Sequence, residues 1–230
     1  MRMISVAGLS MSSVPVLCFD TCSLLDIMRD PSRDTMRVPD RIAGLALLEA
    51  AELGQLQCFL PEQVATEFSE HDAPTQEEAE RAINKVRDQL SRINALDAVY
   101  GAVTIIDLAH LDGHVVRARR IVDRWLARLQ TFKPGDDAPA KAFARVNTAT
   151  PPATRGKESS KDCLVYETVL ELASGLRKAG SKTPIVFLSS NINEYLRERR
   201  DLKPEIAAEF ASLGIDYAQN MGLARHLLGL

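Results

Sequence analysis

Nothing in this 230-residue sequence reaches the run of about 18 apolar residues that a membrane-crossing helix needs. The amino-terminal MRMISVAGLSMSSVPV likewise lacks the apolar block of a secretory leader, so the chain is expected to be soluble and cytoplasmic, with no membrane partner. Charge of one sign is scarce too, because 28 Lys and Arg against 31 Asp and Glu leave a formal net charge of −3. A polyanion partner therefore has to be recognised by local clusters of cations and not by the whole field of the protein. The four cysteines, Cys18, Cys22, Cys58 and Cys163, form no CxxC and stand near no histidine at zinc-site spacing. They read as small buried thiols in a reducing compartment. Of the four histidines only His110 and His114 have ligand spacing, and surface or core roles suit all of them. The chain also has no Gly-rich phosphate loop, no Ser-His-Asp order and no internal repeat.

What remains is a chain whose 46% apolar content can fill a sizeable core. Short apolar runs without alternation, residues 16–20, 56–61 and 183–191, predict strands covered on both faces. Amphipathic segments between them predict helices near 22–29, 40–53, 61–71, 75–97, 113–132, 161–179, 192–199 and 204–213, with a last strand near 214–218. Strand and helix in alternation argue an α/β fold with a mainly parallel sheet flanked by helices. The helices at 75–97 and 113–132 are expected to form a hairpin inserted at 75–133, and the Pro-, Gly-, Ala- and Thr-rich residues 134–159 a loop, within one domain over 1–230.

Three acids sit where apolar residues are expected. Asp20 ends the run VPVLCF, at the carboxyl end of a strand, which is where open parallel sheets bind ligands. It can equally cap the following helix by accepting from the amides of Cys22 or Ser23. Glu67 shares the apolar face of its helix with Val64 and Phe68. Asp162 falls in register with Val165, Tyr166, Val169, Leu172 and Leu176. Taken singly, Glu67 and Asp162 could be met by cations such as Arg81 or Lys161. Taken with Asp20, three inward acids at the mouths of βα units have a joint explanation in a shared divalent cation. An all-oxygen donor set favours Mg²⁺ or Mn²⁺, which can activate water against a phosphodiester.

Cations cluster in two places. The helix at 115–133 carries six Lys and Arg against one Asp, with Arg117, Arg120, Arg124 and Arg128 in a row beside the apolar stripe. That row reads as a solvated face or as a phosphate track. Trp125 and Phe132 lie on the stripe and are expected in the core. Arg155, Lys157 and Lys161 flank the start of the Asp162 helix, an arrangement suited to an anion.

The blocks VLCFDTCSLLDI, PEQVATEF, SSKDCLVYETVLEL and IVFLSSNINEY, in this order, resemble the PIN-domain family of metal-dependent ribonucleases. The likeness covers about 16–70 and 158–218. It implies a three-layer PIN-like fold with a helical insertion, and Asp20, Glu67 and Asp162 as metal-binding acids. At the fourth acidic position of the family this chain has Ser189, Ser190, Asn191, Ile192, Asn193, Glu194. Asn191 or Glu194 is expected to complete the site, and Thr21 or Ser23 to contact a phosphate or a bound water, or to cap a helix. The resemblance further implies cleavage of single-stranded RNA, a toxin-type role with an antitoxin-like protein inhibitor, and a homo-oligomer. Two other readings stay open at this point: a catalytically silent module that binds RNA or protein, and a phosphohydrolase acting on small substrates.

Overall fold

The computed structural model describes residues 2–5, 8–9 and 11–230. Part of the segment read as lacking a leader, residues 1, 6, 7 and 10, lies outside them. In chain order the elements are β1 (Arg2–Ile4), β2 (Val16–Phe19), α1 (Thr21–Leu25), α2 (Val38–Glu52), β3 (Gln57–Pro61), α3 (Glu62–Val99), α4 (His114–Arg128), β4 (Leu129–Phe132) and α5 (Asp137–Thr148). They continue as α6 (Ser160–Lys178), β5 (Ile185–Leu188), α7 (Ile192–Tyr195), β6 (Leu196–Arg197), β7 (Asp201–Leu202), α8 (Pro204–Leu213), β8 (Ile215–Ala218) and α9 (Met221–Leu228).

Six strands form one all-parallel sheet in the order β1-β4-β3-β2-β5-β8, and β6 and β7 form a small antiparallel pair. All four residues of β2, and all four of β5, are buried, as strands covered on both faces must be. Helices cover both faces: α2, α9 and α4 pack together on one, α6 and α8 on the other. The result is the three-layer α/β architecture expected of the sequence. From β2 the chain moves to β3 and β4, and from β5 to β8 in the opposite direction. The switch point therefore falls between β2 and β5, where Phe19 stands opposite Leu188. Aromatic rings fill the core around it, with Phe19 edge-on to Trp125 at 4.9 Å and Phe187 against Tyr195 at 5.2 Å.

Several segments depart from the sequence reading, among them β1, which was not expected, and the helix expected at 192–199, which ends at Tyr195 and gives way to β6. The helices expected at 61–71 and 75–97 are one helix, α3, which runs through Pro74. Proline there removes one backbone bond, but Phe68, Thr75, Ala79 and Ile83 are buried on both sides of it, and that packing carries the helix past the break. The helix expected to reach 132 stops at Arg128, and Leu129–Phe132 instead joins the sheet between β1 and β3. No Gly or Pro separates the two elements, so the helical period appeared to run on. The insertion is thus not purely helical. Within the expected loop at 134–159, residues Asp137–Thr148 are helical. The inward residues of α5, namely Ala138, Ala142 and Arg145, are too small or too polar to register as an apolar stripe. Finally, α9 follows the last expected strand, capped by the Asn220 side chain at 2.8 Å from the Leu223 amide and closed by Gly229 at φ 73°.

Candidate active site

β2 ends at the switch point, and the next residue, Asp20, turns its buried carboxylate inward, 8% exposed. Its backbone amide still pairs with the Leu188 carbonyl at 3.0 Å, which fixes the residue to both central strands. Three donors meet the carboxylate. The Thr21 amide donates to Oδ1 at 2.7 Å, while the Ser189 hydroxyl and the Cys22 thiol donate to Oδ2 at 2.6 and 3.1 Å. Asp20 therefore does cap α1, through Thr21 instead of Cys22 or Ser23, and capping leaves its second oxygen to other partners. Burial raises its pKa, and the bonds from Ser189, Cys22 and Thr21 work against that rise.

Glu67 reaches the same place from the first turns of α3. Its Oε2 accepts from the Thr21 hydroxyl at 2.7 Å, and Oε1 from the Gln63 amide at 3.1 Å. Thr21 thus ties Asp20 to Glu67, its amide to one and its hydroxyl to the other. Asp162, in the first turn of α6, is half-buried and its pKa is pushed up to about 8. Burial is the main cause, followed by the charges of Glu194 and Asp20, a hydrogen bond with Glu194 and the charge of Glu67. Burial also raises Glu194, against the Asn191 amide and Lys203, and one of its oxygens, Oε2, is buried with no hydrogen-bond partner.

Four acids from β2, α3, α6 and α7 thus share one electrostatic neighbourhood at the carboxyl edge of the sheet. No ion pair neutralises any of them among the described residues. Arg81 pairs with Glu77 at 3.6 Å and Lys161 with Glu70 at 3.4 Å, so the salt-bridge alternatives for Glu67 and Asp162 do not hold. Also among the described residues, no three His, Cys, Asp or Glu side chains stand in the close arrangement of a loaded metal site. The donor set itself fits a hard cation: carboxylate oxygens, one of them an orphan, crowded enough to hold a proton at neutral pH.

The other expected residues separate into two groups. Thr21 belongs to the site. Ser23 is buried, bonded to the Leu188 carbonyl at 3.3 Å and the Ser190 amide at 3.2 Å, so it holds β5 to α1. Asn191 stands at the cap of α7, its backbone amide 3.2 Å from the Ser189 hydroxyl. Burial and the charge of Lys157 lower the pKa of Lys203, against the charges of Glu194 and Glu205; Lys157 and Arg155 are both exposed on the loop before α6.

The arginine row of α4 does not converge on the acids. Because α4 leads directly into β4, its last turn lies at the amino edge of the sheet, opposite Asp20. There Arg124 makes a two-pronged bond to Glu52 at 2.9 and 2.8 Å, and Arg128 follows it. Arg117 is turned onto the carbonyl oxygens of His110 and Asp112, at 3.0 and 2.5 Å, and Arg120 is exposed. Arg124 and Arg128 thus stand at the edge of the sheet opposite the acids.

Ser189, Gln63, Cys22 and Lys203 are the participants that the sequence reading passed over. Gln63 was within reach, since it precedes Glu67 by one helical turn. Ser189 directly follows a fully apolar strand, the same signal that marked Asp20.

A family model described as PIN domain matches residues 17–195, from the second residue of β2 to the last of α7, and so takes in all four acids. Neither a curated protein nor a solved structure matches the chain. PIN domains are generally nucleases. With the family model spanning well over half of its residues, and with a parallel sheet that gathers acids at its switch point, the chain belongs to the PIN-domain family.

Proposed function

We propose that the protein is a Mg²⁺- or Mn²⁺-dependent endoribonuclease acting on single-stranded RNA, with Asp20, Glu67, Asp162 and Glu194 as its oxygen donors. The observation that carries this reading is the crowding itself: four carboxyl groups lie together without an ion pair, and Asp162 is raised to about 8, by burial first and then by the charges of Glu194, Asp20 and Glu67. Structural acids are ordinarily paired or solvated; acids that repel one another in a cleft serve a charge that arrives later. A divalent cation bound there supplies a Lewis acid for phosphodiester hydrolysis and lowers the pKa of water. The chain's own groups do the rest. Thr21 and Ser189 hold Asp20 in one rotamer, Gln63 and Thr21 hold Glu67, and the proton that Asp162 holds at neutral pH would be given up to a bound cation. Lys203 and Lys157 supply positive charge for the scissile phosphate.

A purified sample with end-labelled single-stranded RNA tests the proposal. Cleavage is expected in millimolar Mn²⁺, absent in chelator, and lost in Asp20→Asn with the circular dichroism spectrum unchanged. Equal cleavage by Asp20→Asn would overturn the assignment. One observation favours a second reading, a module that binds RNA without cutting it: no three of the acids are in ligating position as they stand. In that case Mn²⁺ leaves the unfolding midpoint where it was.

A further inference from the structure

The far half of α3 has no partner beyond the chain that returns from it, met by Arg87 at Asp112 and by Asn94 at Ile106. From Glu62 to Ile83 it packs on the body of the protein, and Ala79 and Ile83 meet Val115 of α4 in a small core of their own. Beyond that core none of its residues is buried. Yet the apolar spacing continues, with Val86, Leu90 and Ile93 following Ala79 and Ile83 at steps of three and four, the period that packs helix against helix. The chain then turns at Gly101 and runs back as AVTIIDL. Asn94 fastens this return at its Ile106 position, where the Asn94 amide donates to the Ile106 carbonyl at 2.7 Å and its oxygen accepts from the Ile106 amide at 3.4 Å.

The turn is therefore held in place, and what it presents is apolar. Ile93, Leu96, Val99, Tyr100, Val103, Ile105 and Ile106 are each at least 60% exposed, Val103 at 96%. The exposed area of these seven large side chains sums to on the order of 800 Å², comparable to the about 800 Å² per partner of a standard interface. The charges beside them select the occupant. Residues 89–108 carry Arg92 against Asp97 and Asp107 and no lysine, which offers nothing to nucleic acid or to an anionic membrane. A nearly neutral apolar surface whose free helix keeps the packing period of a helical pair suits another copy of itself, the commonest arrangement among soluble oligomers.

We propose that two copies of the chain associate through the tips of these hairpins, Ile93, Tyr100 and Ile105 forming the centre of the contact. The proposal does not depend on the nuclease reading, because the tip lies about 50 Å along α3 from Glu67 at 1.5 Å per residue. Sedimentation velocity and light scattering on the full chain, from 1 to about 100 μM, test it. A mass of twice 25.3 kDa is expected for the parent, and 25.3 kDa for Ile93→Glu/Tyr100→Glu at every concentration. Both substituted side chains are exposed, so the circular dichroism spectrum and the unfolding midpoint of a dilute sample should not change. A parent that stays monomeric throughout, a dimer that survives the double substitution, or a tip occupied by a different protein while the chain alone remains monomeric would each overturn the proposal.

Discussion

The raised Asp162 carboxyl makes stability depend on pH in a direction opposite to that of most acids. In the unfolded chain an aspartate loses its proton near 4; in the folded protein Asp162 keeps it to about 8. Between those values the folded state binds more protons than the unfolded one, so stability is highest at the acid end and falls as pH rises through the window. Converting the whole shift at about 1.4 kcal/mol per unit gives roughly 6 kcal/mol as a ceiling. Asp162 is only half-buried, and water and the shared proton with Glu194 reduce that to about 1–3 kcal/mol. For a chain of this size that is about 2–10 °C in the unfolding midpoint. Asp162→Asn removes the charge and keeps the shape. Thermal unfolding of parent and variant in chelator, at half-unit steps from pH 5 to pH 8, should show the variant's advantage growing with pH. If the two midpoints run parallel across that range, the acids are not crowded and the argument for a waiting cation fails.

Mn²⁺ added to the parent at neutral pH should release about one proton to an unbuffered solution and raise the midpoint, by about 2.7 kcal/mol at a hundredfold excess over its Kd; a calorimetric titration in two buffers of different ionisation heat measures the proton. Ser189→Ala should cost about 1–3 kcal/mol in denaturant unfolding, since it strips the 2.6 Å donor from a buried carboxylate and the acceptor from the Asn191 amide. Arg124→Ala should leave RNA affinity and its salt slope unchanged in a filter-binding assay, because that guanidinium is engaged by Glu52 at the far edge of the sheet. Arg145→Ala should lose about 3–5 kcal/mol by urea unfolding, as it leaves the buried Glu167 without a counter-charge and frees Glu209 and the Pro151 carbonyl from the same fork.

How far the sequence could be read follows from which forces leave a local trace. A strand buried on both faces must be apolar throughout, and an acid that interrupts such a run is visible without any structure; that is why Asp20, with β2, β3 and β5, could be placed. Asp162 was legible for a similar reason, standing in line with the inward face of α6. Elements held by other means left no such mark. α5 is fixed by Arg145, whose partners Glu167 and Glu209 lie 22 and 64 residues away, so no window of sequence contains the reason for its position. α9 did carry its signals, Asn220 before it and Gly229 after, but the helix is short and its apolar side reaches a partner only when α2 is folded against it.

The site divides along the same line. Residue type and local period select the acids, yet whether a cation-rich helix serves them is decided by connection. α4 has every local feature of a phosphate track, but its last turn, with Arg124 and Arg128, lies at the amino edge, because four residues after Arg128 the chain is already at the carboxyl end of β4, level with Pro61. Parallel sheets impose this on every helix that feeds a strand: its last turn lies at the amino edge, and only its first turn can approach the ligand side. Basic residues able to serve Asp20 must therefore come from segments that leave the strands. The same rule makes Ser189 the natural companion of Asp20, since each is the first residue beyond one of the two strands that bound the switch point, and the hydrogen bond between them closes the sheet at the place where the acids assemble.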